Sequence, residues 1–396
     1  MKKILFVYHT SSIGGGSYCL LNILKSLNRD AYTPVVLLRN NGPLAQEIRA
    51  LGIEVFYLST LRTVPYNSSI ISIFSIWSVF NILCSKNKYK NIVKHINPDI
   101  LYINSMMLYP YLRFASRYNV KSIIHIREHW PEGEHPIQRK LALRGIVRHA
   151  DSVIAINRYS ASMLSPYNIN VNIVYDWIDM SDRFESISLD DLFGEDVSNK
   201  KIYLYLGGMQ KIKGAYEVIN TFTHKIDDPN ARLLALGINP RYKSSGIKRI
   251  IKSIMSCIGM KTYSQRVIDL ILSDSRIRCM PGTYKLGELF KRSYCIMSFF
   301  TIPHANLALA ESILCNAVNV AASNDEALEY SLEGELAVLY EPNNINSFEE
   351  SLLSLNKVRN EKLALIEAKS HQVKEMFDPS RNIYILHSVL SDLING

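Results

Sequence analysis

Four short segments carry residues suited to phosphate and sugar chemistry. The first is His9-Thr10-Ser11-Ser12-Ile13-Gly14-Gly15-Gly16-Ser17. Glycines ahead of a helix let the backbone approach a ligand closely, and free N–H groups at a helix start favour an anion. The same residues also suit a turn that merely closes tightly on a sheet. Read from Gly14, the GxGxxG frame puts Cys19 at the third glycine, so this is not a dinucleotide fingerprint. The second segment is Gly207-Gly208-Met209-Gln210-Lys211-Ile212-Lys213-Gly214. Lys211 and Lys213 beside a starting helix would offer a diphosphate both a cation and a dipole, although surface lysines are common at helix starts. The lysines precede the last glycine, which rules out the GxxxxGK[ST] loop. The third runs from Pro303-His304-Ala305-Asn306-Leu307 to Glu311. Glu311 falls within an apolar helical stretch, where a carboxylate could accept two ribose hydroxyls or could be an ordinary surface glutamate. The fourth is Arg127-Glu128-His129, which ends the apolar run Ile123–Ile126. A polar cluster at the carboxyl end of a strand suits catalysis and structural ion pairing equally.

The elements that must position these segments follow from periodicity. Short apolar runs alternate with longer helical patterns, as in parallel α/β domains. Strands are expected at Ile4–Tyr8, Thr33–Leu38, Glu54–Leu58, Ile100–Ile103, Ser122–Ile126 and Ser152–Ile156. Residues 176–200 are acidic and polar, and read as an interdomain linker. The alternation then restarts with Ile202–Leu206, Arg232–Leu236, Ile277–Met280, Tyr294–Phe299, Val318–Ala321 and Leu336–Tyr340. Asn346 to Gly396 has helical spacing and no further strand. With 396 residues, the chain is long enough for two doubly wound domains, each binding ligands at the carboxyl ends of its strands.

The ordered set of turns resembles the GT-B glycosyltransferases, in particular the retaining group called family 4. Gly15-Gly16, Gly207 with Lys213-Gly214, Glu311, and Val318–Ala322 leading to Glu329 occur in that family's order. Val153–Asn157 and Val174–Asp179 resemble its two pre-linker segments. The resemblance implies an α/β fold of two Rossmann-like domains facing a central cleft. The first, 1–177, would bind acceptor; a linker, 178–200, would lead to a donor-binding domain, 201–377. The final helix, 378–396, would cross back to the first domain. The implied reaction moves a sugar from a nucleoside diphosphate donor to a glycan or lipid-linked acceptor with retention. It needs no metal and no cofactor beyond the donor, and suits bacterial surface-polysaccharide synthesis. Gly15, Gly16, Gly208, Lys211, Lys213, Asn306, Leu307, Glu311 and Glu329 would bind the donor. Arg127, Glu128 and His129 would serve catalysis from the first domain. The sequence departs from the family pattern in four places: Gly208 stands where many members have Arg, Pro303 stands for the first Glu of an E-x7-E pair, Asn306 replaces a glycine, and Arg127-Glu128 stand where relatives often show His-Asp. The same fold would also admit a sugar-nucleotide epimerase or phosphorylase, and Pro303 would fit a degenerate partner subunit.

Bulk properties narrow the setting. A composition 47% hydrophobic and 20% charged excludes a disordered chain. The net charge of +9 favours anionic partners. No nucleic-acid reading motif accompanies the basic residues. Cys19, Cys84, Cys257, Cys279, Cys295 and Cys315 form no CxxC pair, which suits reduced thiols in a cytoplasm. The apolar run Ile4–Tyr8 is too short for a signal peptide. Two segments fit peripheral attachment to an anionic inner membrane face. Residues 241–266 set an isoleucine face against Lys248, Arg249 and Lys252, and the uncharged stretch Tyr66–Cys84 precedes Lys86, Lys88, Lys90 and Lys94.

Overall fold

The computed structural model describes residues 1–64, 73–115, 118, 120–240, 261–302 and 306–395. Pro303, most of the basic segment 241–266, and the start of the uncharged stretch at Tyr66 lie outside the described residues.

Contacts divide the chain into two units. One comprises Met1–Trp177 with Phe377–Gly396, and the other Ile178–Met376.

In the first unit, strands β1 (Lys2–Val7), β2 (Tyr32–Leu38), β3 (Glu54–Tyr57), β4 (Ile100–Ile103), β5 (Lys121–Ile126), β6 (Ser152–Ala155) and β7 (Asn172–Ile173) form one sheet. Their order is β3-β2-β1-β4-β5-β6-β7, and every pairing is parallel. Helices α1 (Gly15–Ser26), α2 (Pro43–Ala50), α3 (Ile73–Ile96), α4 (Pro110–Ala115), α5 (Pro136–His149) and α6 (Arg158–Ser162) lie between strands. Both faces of a parallel sheet are covered, which is why its strands are apolar runs rather than alternating ones. Leu5, Val7, Leu101 and Ile103 point into one core layer, and Ile4, Phe6, Ile100 and Tyr102 into the other. The two-residue β7 has too little apolar sequence to signal a strand.

In the second unit, β8 (Lys201–Tyr205), β9 (Ala231–Leu236), β10 (Ile277–Met280), β11 (Ser293–Met297), β12 (Asn319–Ala322) and β13 (Val338–Tyr340) form a parallel sheet ordered β10-β9-β8-β11-β12-β13. Helices α7 (Leu189–Phe193), α8 (Ala215–Lys225), α9 (Tyr263–Ser273), α10 (Gly287–Arg292), α11 (Leu307–Leu314), α12 (Asp325–Tyr330) and α13 (Ile345–Met376) accompany it. The stretch read as a linker is built into this unit instead. Leu189, Phe193 and Val197 are buried with Ile202 and Leu204, and Arg183 is buried as well. Three anchoring apolar residues in a polar background are too few to mark an element, so composition alone conceals their packing.

The final helix, α14 (Pro379–Asn395), belongs to the first unit. Leu386, Val389, Leu390 and Leu393 join the core layer of Ile4 and Phe6. Buried Asn382 fixes it there: its Oδ1 accepts from the Tyr175 backbone N–H at 2.9 Å.

Candidate functional site

At the carboxyl end of β1, the turn through Gly14 opens directly into α1, with Gly14 as its N-cap. Gly16 is needed for space: a Cβ there would lie 2.7 Å from the Tyr8 hydroxyl. Beneath this turn sits the Arg127 guanidinium from the end of β5. Its Nη2 donates to Asp176 Oδ2 at 2.5 Å, and its Nη1 to Asn104 Oδ1 at 3.4 Å. Asp176 and its short ion pair raise the Arg127 pKa against the opposing effect of burial, so the cation persists. A desolvated charge needs such a partner, and Asp176 supplies it.

Glu128 faces a different neighbour. One carboxylate oxygen accepts from the Ser105 hydroxyl at 2.5 Å and the other from the Met106 N–H at 3.1 Å. Burial nonetheless raises its pKa above the usual carboxylate range. The ring of His129 stacks on Tyr159, with centroids 3.6 Å apart, and burial lowers its pKa to about 4. The three consecutive residues therefore have three separate partners: Arg127 meets Asp176, Glu128 braces the turn at Ser105–Met106, and His129 packs on α6.

In the second unit, β8 runs into Gly207-Gly208 and then a 3-10 turn, Lys211–Lys213. Gly208 has φ +61° and lies against Gly237, at the end of β9; a Cβ on Gly208 would be 3.3 Å from the Gly237 carbonyl oxygen. Gly214, at φ +67°, ends the turn and caps α8. A Cβ there would collide with the Phe299 backbone oxygen and lie 2.6 Å from its Cβ. The Tyr205 hydroxyl donates to the Lys213 carbonyl at 3.1 Å, and the Thr301 N–H to the Ile212 carbonyl at 3.0 Å. These bonds pin the lysine-bearing turn to the ends of β8 and β11. Partial burial lowers the Lys213 pKa, whereas Lys211 is exposed.

Asn306 caps α11 with its backbone, while its Nδ2 donates to Ser298 Oγ at 3.3 Å. Leu307 begins the helix and is half-buried. Glu311 lies one turn in, 5% exposed, in a buried ion pair: Arg183 Nη2 meets Glu311 Oε1. Arg183 is 3% exposed, and its Nη1 donates to the Tyr284 carbonyl at 3.1 Å. Burial raises the Glu311 pKa to about 7 against the lowering effect of Arg183.

Sequence reasoning missed Arg183, Asp176 and Ser105 as partners of these groups, since each pairing joins distant segments. Glu329 lies in the last turn of α12, whereas buried Glu326 lies in the first turn, beside the carboxyl end of β12. The loop after β12 ends at the Asn324 cap, whose side chain accepts from Ala327 N–H at 2.8 Å, and a helix start was not readable there from apolar periodicity. Among the described residues, no group of three or more His, Cys, Asp or Glu side chains is placed to hold a metal ion.

The comparisons with known proteins bear on this architecture. The glycosyl transferase 4-like domain matches residues 14–174. An uncharacterized glycosyltransferase of Methanocaldococcus jannaschii is 21% identical over 421 aligned residues, covering 100% of this chain and 99% of that protein. Anabaena HepE, solved in complex with UDP and glucose, aligns with a TM-score of 0.73 at 18% identity, over 99% of this chain and 100% of that one. The UDP-GlcNAc 2-epimerase of Neisseria meningitidis, solved bound to UDP-GlcNAc, aligns with a TM-score of 0.67 at 11% identity, over 98% of this chain and 100% of that one. The domain match falls on the first unit, and the two parallel sheets with interleaved helices are those of GT-B glycosyltransferases. The chain therefore has the GT-B fold, and its residues 14–174 are similar to the glycosyl transferase 4-like domain.

Proposed function

We propose that the chain is a retaining glycosyltransferase that moves a sugar from a nucleoside diphosphate donor to a glycan or lipid-linked acceptor, in cell-surface polysaccharide synthesis. The observation that carries this reading is the second unit's turn. Gly208 and Gly214 adopt left-handed conformations against Gly237 and Phe299, leaving Lys211 and Lys213 beside the start of α8. Backbone that close to a strand end, with cations and helix N–H groups, suits a diphosphate. HepE, of the same fold, was solved with UDP and glucose, which agrees with a UDP-type donor.

In this reading Lys213, with Lys211, counters the charge that grows on the departing diphosphate. Arg183 holds Glu311 Oε1, and the carboxylate accepts a ribose hydroxyl. The Asn306 and Leu307 N–H groups at the start of α11 serve the phosphates, and in the first unit Arg127, beneath the Gly15-Gly16 turn, serves the acceptor. Glu128 and His129 position the loops around Arg127. The side chains supply the charges the diphosphate needs, without a metal or further cofactor.

The proposal also places the chain on an anionic membrane surface. No helix among the described residues is long and apolar enough to cross a membrane. However, a cavity of about 740 Å³ opens between α3, α4 and α5. Its lining includes exposed Leu83 and Leu141, with Arg113, Arg144 and Arg148 and no carboxylate among the described residues. Exposed apolar side chains beside arginines suit a lipid interface.

Calorimetric titration with UDP, GDP and TDP, followed by product analysis with the matching donor, tests the reading. Lys213→Ala should weaken diphosphate binding about tenfold or more, since a charge-assisted contact contributes about 1.5–3 kcal/mol. A nucleotide-sugar product with an inverted ring carbon and no acceptor transfer would favour the epimerase. Failure to bind any nucleoside diphosphate would remove the proposal altogether.

A further inference from the structure

A second cationic site lies in the first unit, at the carboxyl ends of β1, β2 and β3, and none of the roles above uses it. The parallel register pairs Val7 with Leu37, so that His9 and Arg39 emerge side by side just past the two strands. The loops that follow are tied together: Ser11 Oγ donates to Asn40 Oδ1 at 3.0 Å, and Leu44 N–H to the Ser11 carbonyl at 3.0 Å. On the next strand, the Leu58 N–H donates to the Leu38 carbonyl at 2.9 Å, which brings the loop Ser59–Arg62 to the same edge.

The Arg62 guanidinium is held in place. Nη1 donates to the carbonyls of Ser59 at 2.7 Å and Leu61 at 3.0 Å, and its face lies 4.7 Å from the Trp77 ring centre. Its Nε is buried without a hydrogen-bond partner, as are His9 Nδ1 and Thr60 Oγ1. Neither arginine has a carboxylate partner among the described residues. Burial and the proximity of Arg39 lower the His9 pKa to about 4 and also lower that of Arg62.

Like charges gathered at one strand edge, with orphaned donors between them, cost free energy unless an anion fills the gap. The carboxyl edge of a doubly wound sheet is also where such domains receive ligands. We propose that His9, Arg39 and Arg62 form an anion pocket that binds a phosphate group carried by the acceptor. Arg62 would offer Nε and Nη2, Arg39 its guanidinium, and His9 Nδ1 a proton when its ring is charged. This extends the glycosyltransferase reading by giving the acceptor a phosphate, as a sugar phosphate or a phosphate-linked lipid would have. The recognised chemistry is a tetrahedral oxyanion in either case.

The test titrates the full chain with inorganic phosphate, with glucose 6-phosphate and with glucose, while histidine ring signals are followed by NMR. Phosphate and the sugar phosphate should bind, glucose should not, and the His9 signals should move, because an adjacent anion favours the protonated ring and raises its pKa. Arg39→Gln, which breaks no hydrogen bond in the fold, should weaken phosphate binding about tenfold. Arg62→Gln should do the same while leaving UDP affinity unchanged, since UDP is assigned to the second unit. Tighter binding of a phosphate-bearing polyprenol in detergent than of glucose 6-phosphate would identify the lipid source, and the reverse order the soluble one. Phosphate affinity unaltered in both variants, or His9 signals unmoved at saturation, would overturn the pocket. Loss of UDP binding in the unmodified protein would instead overturn the donor reading and leave this pocket standing.

Discussion

Arg183 and Glu311 form a buried ion pair in the second unit, joining a segment just past the unit boundary to the helix that follows β11. Neither residue is readable as the other's partner from sequence. The pair fixes the Glu311 carboxylate through Oε1. Removing one member of such a pair leaves an uncompensated buried charge, whereas replacing both removes the problem along with the attraction.

Arg183→Leu should therefore destabilise the protein by about 3–5 kcal/mol. The double substitution Arg183→Leu with Glu311→Leu should be less destabilised than Arg183→Leu alone. Urea unfolding of the unmodified protein and the two variants measures this. A double variant no more stable than the single one would show that the pair is not the source of the loss.

Glu311 also sets a pH dependence. Its pKa is raised from 4.5 to about 7 in the folded state, so the native protein binds more protons than the unfolded chain between those values. Stability contributed at this position should then be present below about pH 4.5 and fall as pH rises towards about 7. Glu311→Gln cannot titrate and should flatten that part of the profile. Urea midpoints of both proteins between pH 5 and 8 would show the difference; parallel profiles would place the Glu311 pKa near its ordinary value.

Gly214→Ala should cost about 1–3 kcal/mol, because alanine resists the left-handed conformation and its Cβ meets the Phe299 backbone. Gly208→Ala should cost less, since its Cβ would sit 3.3 Å from the Gly237 oxygen rather than inside it. Thermal unfolding orders the two. Under the proposed donor site, UDP affinity should fall furthest in Gly214→Ala.

Asn382→Ala should destabilise the first unit by about 1–3 kcal/mol, because the Tyr175 N–H loses its buried acceptor. Hydrogen exchange at Tyr175 and along α14 should quicken, with protection in β8–β13 retained. Unchanged exchange on α14 would show that its apolar face alone holds it.

Much of the architecture is legible in the chain. The strand runs Ile4–Tyr8, Ile100–Ile103 and Ile277–Met280 fall within a residue or two of β1, β4 and β10, because parallel strands buried on both faces must be continuously apolar. The Gly-rich turns are legible for a related reason: left-handed or crowded backbone after a strand demands glycine, and Gly214 shows that demand in its most stringent form.

What the chain alone could not reveal is who meets whom. Residues 178–200 read as a linker because the stretch is mostly acidic and polar, yet Leu189, Phe193 and Val197 each find a place in a core built by later strands. Arg127, Glu128 and His129 are consecutive in sequence, and the ends of β5 and α6 send the three side chains to separate partners. Arg183 is invisible as the partner of Glu311, and Arg39 and Arg62 gain meaning only when three strand ends lie side by side. Local order follows from nearest-neighbour sterics and hydrophobic period, both written in consecutive residues. Charge pairing depends on distances of a few ångströms between segments far apart in sequence, and only the tertiary structure sets those distances.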